Sequence, residues 1–399
     1  MGKEDVTVEA MVNEILTEKV SLKSCIIGVG FAGSFNAQAV HEALNIPAFV
    51  INTSMKDLSD SVIKKEIPSY LIGNDGRGAG NDRQRSKEMF KFNGKKLLTE
   101  TAPFVKMVDN ADIIFVVFSS AGGTGSGSGP ELVDILRRVH PEKICIPIVI
   151  SPKQYDSSLS QYNNLECINE LANLEGPYVI GDLDKFATDN DDVAYEKMSK
   201  WVIETVKHLT GMDMDMSQSG MMDENDLLNL ISENGYLAQY SIDVSSKMLE
   251  NTDIQDLLIK QIATSPAMQI QKDRVLGWAG LVVNLPEDIV DPIKTGDTRK
   301  LLAITGEPKH MYKNFSVNQA TKGTVTIILS GMSLPRNRLD ESLEKVQNYI
   351  ETTKKAKRNI SLSSDLASLG SADVGGFGGF SGGKKTSGKS DVLDSFFND

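Results

Sequence analysis

Cysteine and histidine are both scarce in this 399-residue chain, with three of the first and four of the second. Cys25, Cys145 and Cys167 sit in apolar or helical contexts with no paired spacing, so reduced thiols in a cytoplasmic setting are expected. His41, His140, His208 and His310 are scattered, a distribution that suggests neither a zinc site nor a histidine base. No apolar run approaches the roughly 18 residues of a membrane span, and the opening MGKEDVTVEA lacks the apolar core of a signal peptide. Membrane insertion and secretion are therefore not expected. Positive charge is in deficit as well: a net charge of −12 argues against a protein that coats nucleic acid, while leaving room for a local basic patch. What remains, 40% hydrophobic and 24% charged, is the composition of an ordinary soluble protein, long enough for two domains.

Glycine, by contrast, is concentrated. Ala121–Gly129, AGGTGSGSG, lies between a buried-strand pattern, Ile113–Phe118, and an amphipathic one from Glu131 with Leu132, Ile135, Leu136 and Val139 at helical spacing. The stretch reads as a loop that turns its N–H groups inward, followed by the positive end of a helix, which together make a cradle for a di- or triphosphate. Other elements fall into a β–glycine–α–β order: a strand at 24–29, a helix at 35–44 and a strand at 48–52. A second glycine-rich loop, Gly73–Asn81, precedes a charged helix near 82–100, and strands follow at 144–150 and 177–181 with a helix at 160–173 between them. This order predicts a parallel sheet with right-handed crossovers, its glycine loops converging at the carboxyl edge. Further on, a long helix at 192–208 carries an Asp189–Asp192 cap, residues 211–222 read as an inserted loop, and 226–231 as a short helix. Residues 3–20 suit an amphipathic helix, 324–330 a strand and 340–357 a helix; 359–390 form a Ser/Gly/Lys linker before the acidic, aromatic end DVLDSFFND.

Two textual motifs mislead. Gly28-Val29-Gly30-Phe31-Ala32-Gly33 fits the dinucleotide fingerprint between strand and helix, but Asn52-Thr53-Ser54 stands where the ribose-binding acid belongs, which weakens a NAD or FAD oxidoreductase as a reading. Gly383–Ser390 satisfies the P-loop pattern inside a low-complexity tail, with no strand before it and no helix after it. A serine-hydrolase elbow is absent, since Thr124 and Ser126 occupy the positions two before Ser126 and Ser128.

Ala121-Gly122-Gly123-Thr124-Gly125-Ser126-Gly127 resembles the G-G-G-T-G-[ST]-G signature of the tubulin/FtsZ superfamily with one glycine changed to alanine. The Gly28–Asn36 segment, Ile51-Asn52-Thr53 and Gly78-Ala79-Gly80-Asn81 agree in order and spacing, over about residues 22–250. The resemblance implies a GTPase that binds GTP or GDP with Mg2+ and polymerises head to tail. Gly30, Ala32, Gly33 and Ser34 would approach the phosphates, Ala79 and Gly80 the γ-phosphate, and Gly122, Gly123, Thr124, Gly125, Ser126 and Gly127 would wrap the β- and γ-phosphates. Asp156 stands at the position of an acid that meets the ribose, with Ser160 replacing an arginine; Asn190 or Asp191 is placed to read the guanine edge or simply to cap the helix.

Hydrolysis in that family uses an acidic loop of the neighbouring subunit, which Gly235–Asp243 matches only at Asp243; Asp243 is the expected catalytic carboxylate. The first glycine loop, the degenerate catalytic stretch and the helix ending in Lys354-Lys355-Ala356-Lys357-Arg358 resemble the plasmid and phage TubZ branch. That branch uses a basic C-terminal segment for a DNA-bound adaptor, whereas a linker followed by DVLDSFFND resembles the adaptor-binding tail of cell-division FtsZ. The expected organisation is α/β: a parallel-sheet GTPase domain at 1–188, a central helix with inserted and catalytic loops at 189–242, a second α+β domain at 243–335, a C-terminal helix at 336–358 and a flexible tail at 359–399.

Overall fold

A computed structural model describes residues 22–359 except 60–62, 74, 187–189, 213, 215–221, 250–251, 271–275, 287–297 and 319–320. The expected N-terminal helix at 3–20, most of the inserted loop and the tail lie outside the described residues. The strands are β1 (Ser24–Val29), β2 (Ala48–Asn52), β3 (Ser69–Leu71), β4 (Ile113–Ser119), β5 (Ile144–Ser151), β6 (Pro177–Asp182), β7 (Gly235–Val244), β8 (Leu276–Pro286), β9 (Pro308–Asn318) and β10 (Gly323–Met332). The helices are α1 (Gly30–Leu44), α2 (Arg83–Glu100), α3 (Ala102–Asp109), α4 (Gly123–Val139), α5 (Ser158–Asn173), α6 (Asp191–Leu209), α7 (Glu224–Ser232), α8 (Ser246–Leu249), α9 (Ile254–Thr264), α10 (Arg299–Thr305) and α11 (Asn337–Asn359). No described helix is long and apolar enough to cross a membrane.

One sheet runs in the order β3-β2-β1-β4-β5-β6-β7-β10-β8-β9. Strands β1, β2, β4, β5 and β6 are parallel neighbours and almost wholly buried, as expected of apolar runs covered on both faces. Chain order reverses between β1 and β4, which opens a crevice at their carboxyl ends. β7 joins β6 through two register pairs, Pro177 with Gly235 and Tyr178 with Tyr236, an antiparallel bridge between Gly181 and Ala267 adds a second link, and the sheet continues antiparallel from β7 to β10 to β8. β7 therefore belongs with the second-half strands, and Gly235–Asp243, expected as a catalytic loop, is a strand. Tyr236, Leu237, Ala238 and Tyr240 are buried, and that apolar content is what pairs the segment into the sheet.

Two of the three glycine-rich segments expected as loops are largely helical. α1 begins at Gly30, and α4 begins at Gly123 rather than at Glu131. Glycine is a poor helix former, but here packing overrides propensity. A methyl group on Gly125 would come 2.6 Å from the Ser119 carbonyl oxygen, on Gly127 2.3 Å from that of Arg83, and on Gly129 2.8 Å from the Phe118 ring. Only a helix bare on this side can approach β4 and α2 so closely.

Pro130 inside α4 has no N–H for the carbonyl of Ser126 four residues earlier. Arg83 of α2 fills that gap: its Nη2 donates to Ser126 O at 3.1 Å, while the same guanidinium pairs with Glu170 of α5 at 2.7 Å. Burial alone would lower the affinity of Arg83 for its proton, but the hydrogen bond and charge of Glu170 hold it above the ordinary value. Arg83→Met is expected to cost about 2 kcal/mol in urea unfolding, below the usual range for a broken buried pair because Glu170 retains Lys87. A loss under about 0.5 kcal/mol would contradict this account of the proline-containing helix.

Candidate functional site

At the carboxyl edge, over the β1–β4 crevice, lies a cavity of about 730 Å³. Its walls are the start of α1, the turn at 77–81, the end of β4 with the first turn of α4, and Asp156, Ser160 and Tyr195. α1 and α4 both begin with no side-chain cap and no acid in the first turn. Five other helices are capped, by Asp82, Ser157, Asn190, Asp223 and Asp253. Two helix starts thus present unpaired N–H groups and partial positive charge to one cavity, which is chemistry for a multiply charged anion.

The walls are tied to one another. Gly30 has φ +74°, a conformation that suits glycine, and a side chain there would meet Gly125 N at 3.1 Å. Thr53, after β2, shares a 2.6 Å hydrogen bond with Thr124. Asn163 of α5 donates to the carbonyls of Asn81 and Ala121, both at 3.0 Å, joining the second glycine loop to the third.

Of the residues expected from sequence, Gly30, Ala32, Ala79, Gly80, Gly122, Gly123, Thr124, Gly125 and Asp156 line this cavity. Gly33, Ser34, Ser126 and Gly127 stand behind it. A side chain on Gly33 would come 2.3 Å from the Val117 carbonyl oxygen, so that glycine serves helix-to-strand packing. Ser34 is buried, and its hydroxyl finds no hydrogen-bond partner among the described residues. The Ser126 hydroxyl turns back onto the Gly122 carbonyl. Asn190 is the cap of α6, accepting the Asp192 N–H at 2.9 Å, and Asp191 pairs with Lys153; neither lines the cavity.

Lys153 was not legible as a site residue. It is 2% exposed, its ammonium bonded to Asp191 and 5.4 Å from the Tyr155 ring centre. Burial alone would lower its proton affinity, but Asp191 and Tyr155 outweigh that and hold it above the usual lysine range. The Lys153 N–H donates to the Asp156 carboxylate at 3.0 Å. Lys153 stands behind the wall at Asp156, whereas Tyr195, Asp57 and Arg77 line the cavity itself without a sequence signal to mark them. Tyr195 is pushed above the ordinary tyrosine value by burial first, then by Asp156 and Asp191.

Asp243 does not approach this cluster from the opposite end of the molecule. It is exposed near the end of β7, paired with Thr324, and β7 runs parallel to β6. It therefore sits toward the carboxyl edge of the sheet, the same edge as the cavity.

Gly122 and Gly127 separate ligand from fold. Nothing lies within 4 Å of a side chain on Gly122, which faces the cavity. Gly122→Ala should leave the thermal midpoint within about 2 °C while weakening binding of a nucleotide triphosphate at least about tenfold in a fluorescence titration. Gly127→Ala should instead destabilise the chain by about 2–3 kcal/mol. Equal effects of the two on melting would contradict the division.

Residues 8–185 match the family described as Tubulin/FtsZ family, GTPase domain. Tubulin-like protein CetZ of Pyrococcus furiosus is 26% identical over 225 residues, 54% of this chain and 60% of that protein, so the match spans less than two thirds of that relative. Tubulin-like protein TubZ of Clostridium botulinum C phage is 22% identical over 343 residues, 84% of this chain and 82% of that protein. Among solved structures, a GTPγS-bound protofilament of CetZ2 from Haloferax volcanii shares the fold with a TM-score of 0.69 at 19% identity, covering 84% of this chain and all of that one. Residues 8–185 belong to the tubulin/FtsZ family as its GTPase domain, and the described chain has the tubulin/FtsZ fold.

Proposed function

We propose that this chain binds GTP in the carboxyl-edge cavity and hydrolyses it on assembling head to tail into filaments. The observation that carries the reading is the meeting of two uncapped helix starts with the 77–81 turn around one cavity. Their N–H groups would hold the β- and γ-phosphates, and Asp156 would meet the ribose. Magnesium fits as a cation brought by the phosphates. Asp57 is, besides Asp156, a carboxylate lining the cavity, and among the described residues no three acidic, cysteine or histidine side chains form a metal cage. Asp57 would hold the ion, which would neutralise phosphate charge.

The cavity supplies charge stabilisation, and a neighbour supplies the acid that orients water. In a head-to-tail contact that acid stands on the edge opposite the nucleotide. α6 borders the cavity through Tyr195, near its start, and at 19 residues runs about 28 Å. Its end reaches the amino edge of the sheet, where Leu22 N donates to Thr210 O at 3.1 Å just before β1. The stretch leaving that end contains Asp213 and Asp215, both outside the described residues. The water-positioning role expected of Asp243 therefore passes to a carboxylate of this connection.

Similarity to a phage TubZ over most of both chains, together with the basic Lys354–Arg358 run, supports a use in moving plasmid or phage DNA through an adaptor. Similarity to CetZ, one member of which is solved as a protofilament, supports filament formation without pointing to a cargo. Nucleotide extracted from the purified chain should be GTP or GDP; NAD or FAD would contradict the reading. Asp213→Ala with Asp215→Ala should abolish phosphate release while GTP-dependent pelleting persists, and Asp243→Ala should turn over normally. Loss of turnover in Asp243→Ala alone would reverse the assignment of faces.

A further inference from the structure

The C-terminal helix α11 reaches the nucleotide cavity indirectly, by holding the turn that carries Asp156. Residues 153–156 form a tight turn in which Asp156 N donates to Lys153 O at 3.1 Å and the Asp156 carboxylate accepts the Lys153 N–H at 3.0 Å. The carboxylate faces the cavity, whereas the backbone carbonyls of the turn are taken up by α11. Lys345 Nζ donates to Gln154 O at 2.9 Å and to Asp156 O at 2.7 Å. Arg338 Nη2 donates to Pro152 O at 3.0 Å. Lys153 O accepts from buried Gln161, whose own oxygen accepts the Ser342 hydroxyl at 2.7 Å. Four of the five carbonyls from 152 to 156, all but that of Tyr155, are thus anchored to one helix directly or through a single side chain. On the other side, the Asp184 carboxylate accepts the Gln154 N–H at 2.8 Å.

We propose that Lys345 is a positioning residue for the nucleotide's ribose: by fixing the Gln154 and Asp156 carbonyls it aims the Asp156 carboxylate at the ribose hydroxyls. The inference rests on the assignment of the cavity to GTP and of Asp156 to its ribose. An ammonium ion bridging two carbonyls of one short turn restrains that turn more than either bond alone, because both acceptors lose rotational freedom together. Lys345 does not itself line the cavity and meets its wall at Asp156, so its effect on ligand passes through that residue. The anchoring residues belong to the helix that ends in the basic run Lys354–Arg358, which places ribose recognition and the C-terminal end of the fold on one rigid element.

The test compares binding of GTP with that of 2′,3′-dideoxy-GTP, which lacks both hydroxyls, for the full chain and its Lys345→Met, Lys345→Arg and Asp156→Asn variants. The wild-type chain should prefer GTP by about tenfold or more, since a site built to bond a hydroxyl discriminates against its absence. Lys345→Met should shrink that preference by about fivefold, chiefly through GTP, and Lys345→Arg should keep most of it. In the Asp156→Asn background, Lys345→Met should add nothing, as coupled residues require. Wild-type chain that binds GTP and the dideoxy analogue alike overturns the ribose role of Asp156 and this inference with it. Wild-type discrimination combined with equal weakening of both ligands by Lys345→Met, or full additivity with Asp156→Asn, overturns the inference alone.

Discussion

The near-contact between the start of α4 and the backbones of β4 and α2 is the constraint on which the site depends. Glycines at 125, 127 and 129 let the helix lie against the Ser119 and Arg83 carbonyls and the Phe118 ring. That approach puts the unpaired N–H groups of its first turn over the same crevice as those of α1. Moving α4 outward by the width of a methyl group would separate the two helix starts and dissolve the anion site. Arg83 shows the secondary cost of the arrangement, since a proline eight positions into the helix leaves a carbonyl that a neighbouring guanidinium must satisfy.

Around this core, the site is built by cross-links between elements far apart in sequence. Thr53 with Thr124, and Asn163 with Asn81 and Ala121, lock three glycine segments into one rim. The wall at Asp156 is assembled differently, from a buried lysine, its partner Asp191 and a turn whose carbonyls are gripped by α11. The glycine rim thus depends on backbone packing, and the Asp156 wall on side-chain contacts.

The parallel half of the fold was legible because its strands are continuous apolar runs and its glycine segments follow them in a fixed order. Nine cavity-lining residues were legible for the same reason, with the family signature supplying their roles. Helix starts at Gly30 and Gly123 were not, because local propensity speaks against a helix there and the packing that overrides it is long-range. Lys153 escaped because a lysine in a polar stretch gives no sign of being buried. The strand at Gly235–Asp243, expected as a loop, is hidden for a related reason: a short polar motif draws attention from the buried tyrosines and leucine that mark the segment as a strand.

On the proposed reading, a cavity that holds the phosphates and an acid supplied by a neighbouring subunit make an enzyme incomplete as a single subunit. The most direct measurement is the rate of phosphate release per subunit as a function of protein concentration at saturating GTP. The account predicts negligible release below a threshold concentration and a steep rise above it, coincident with light scattering from filaments. A rate per subunit that is constant across the threshold would contradict it.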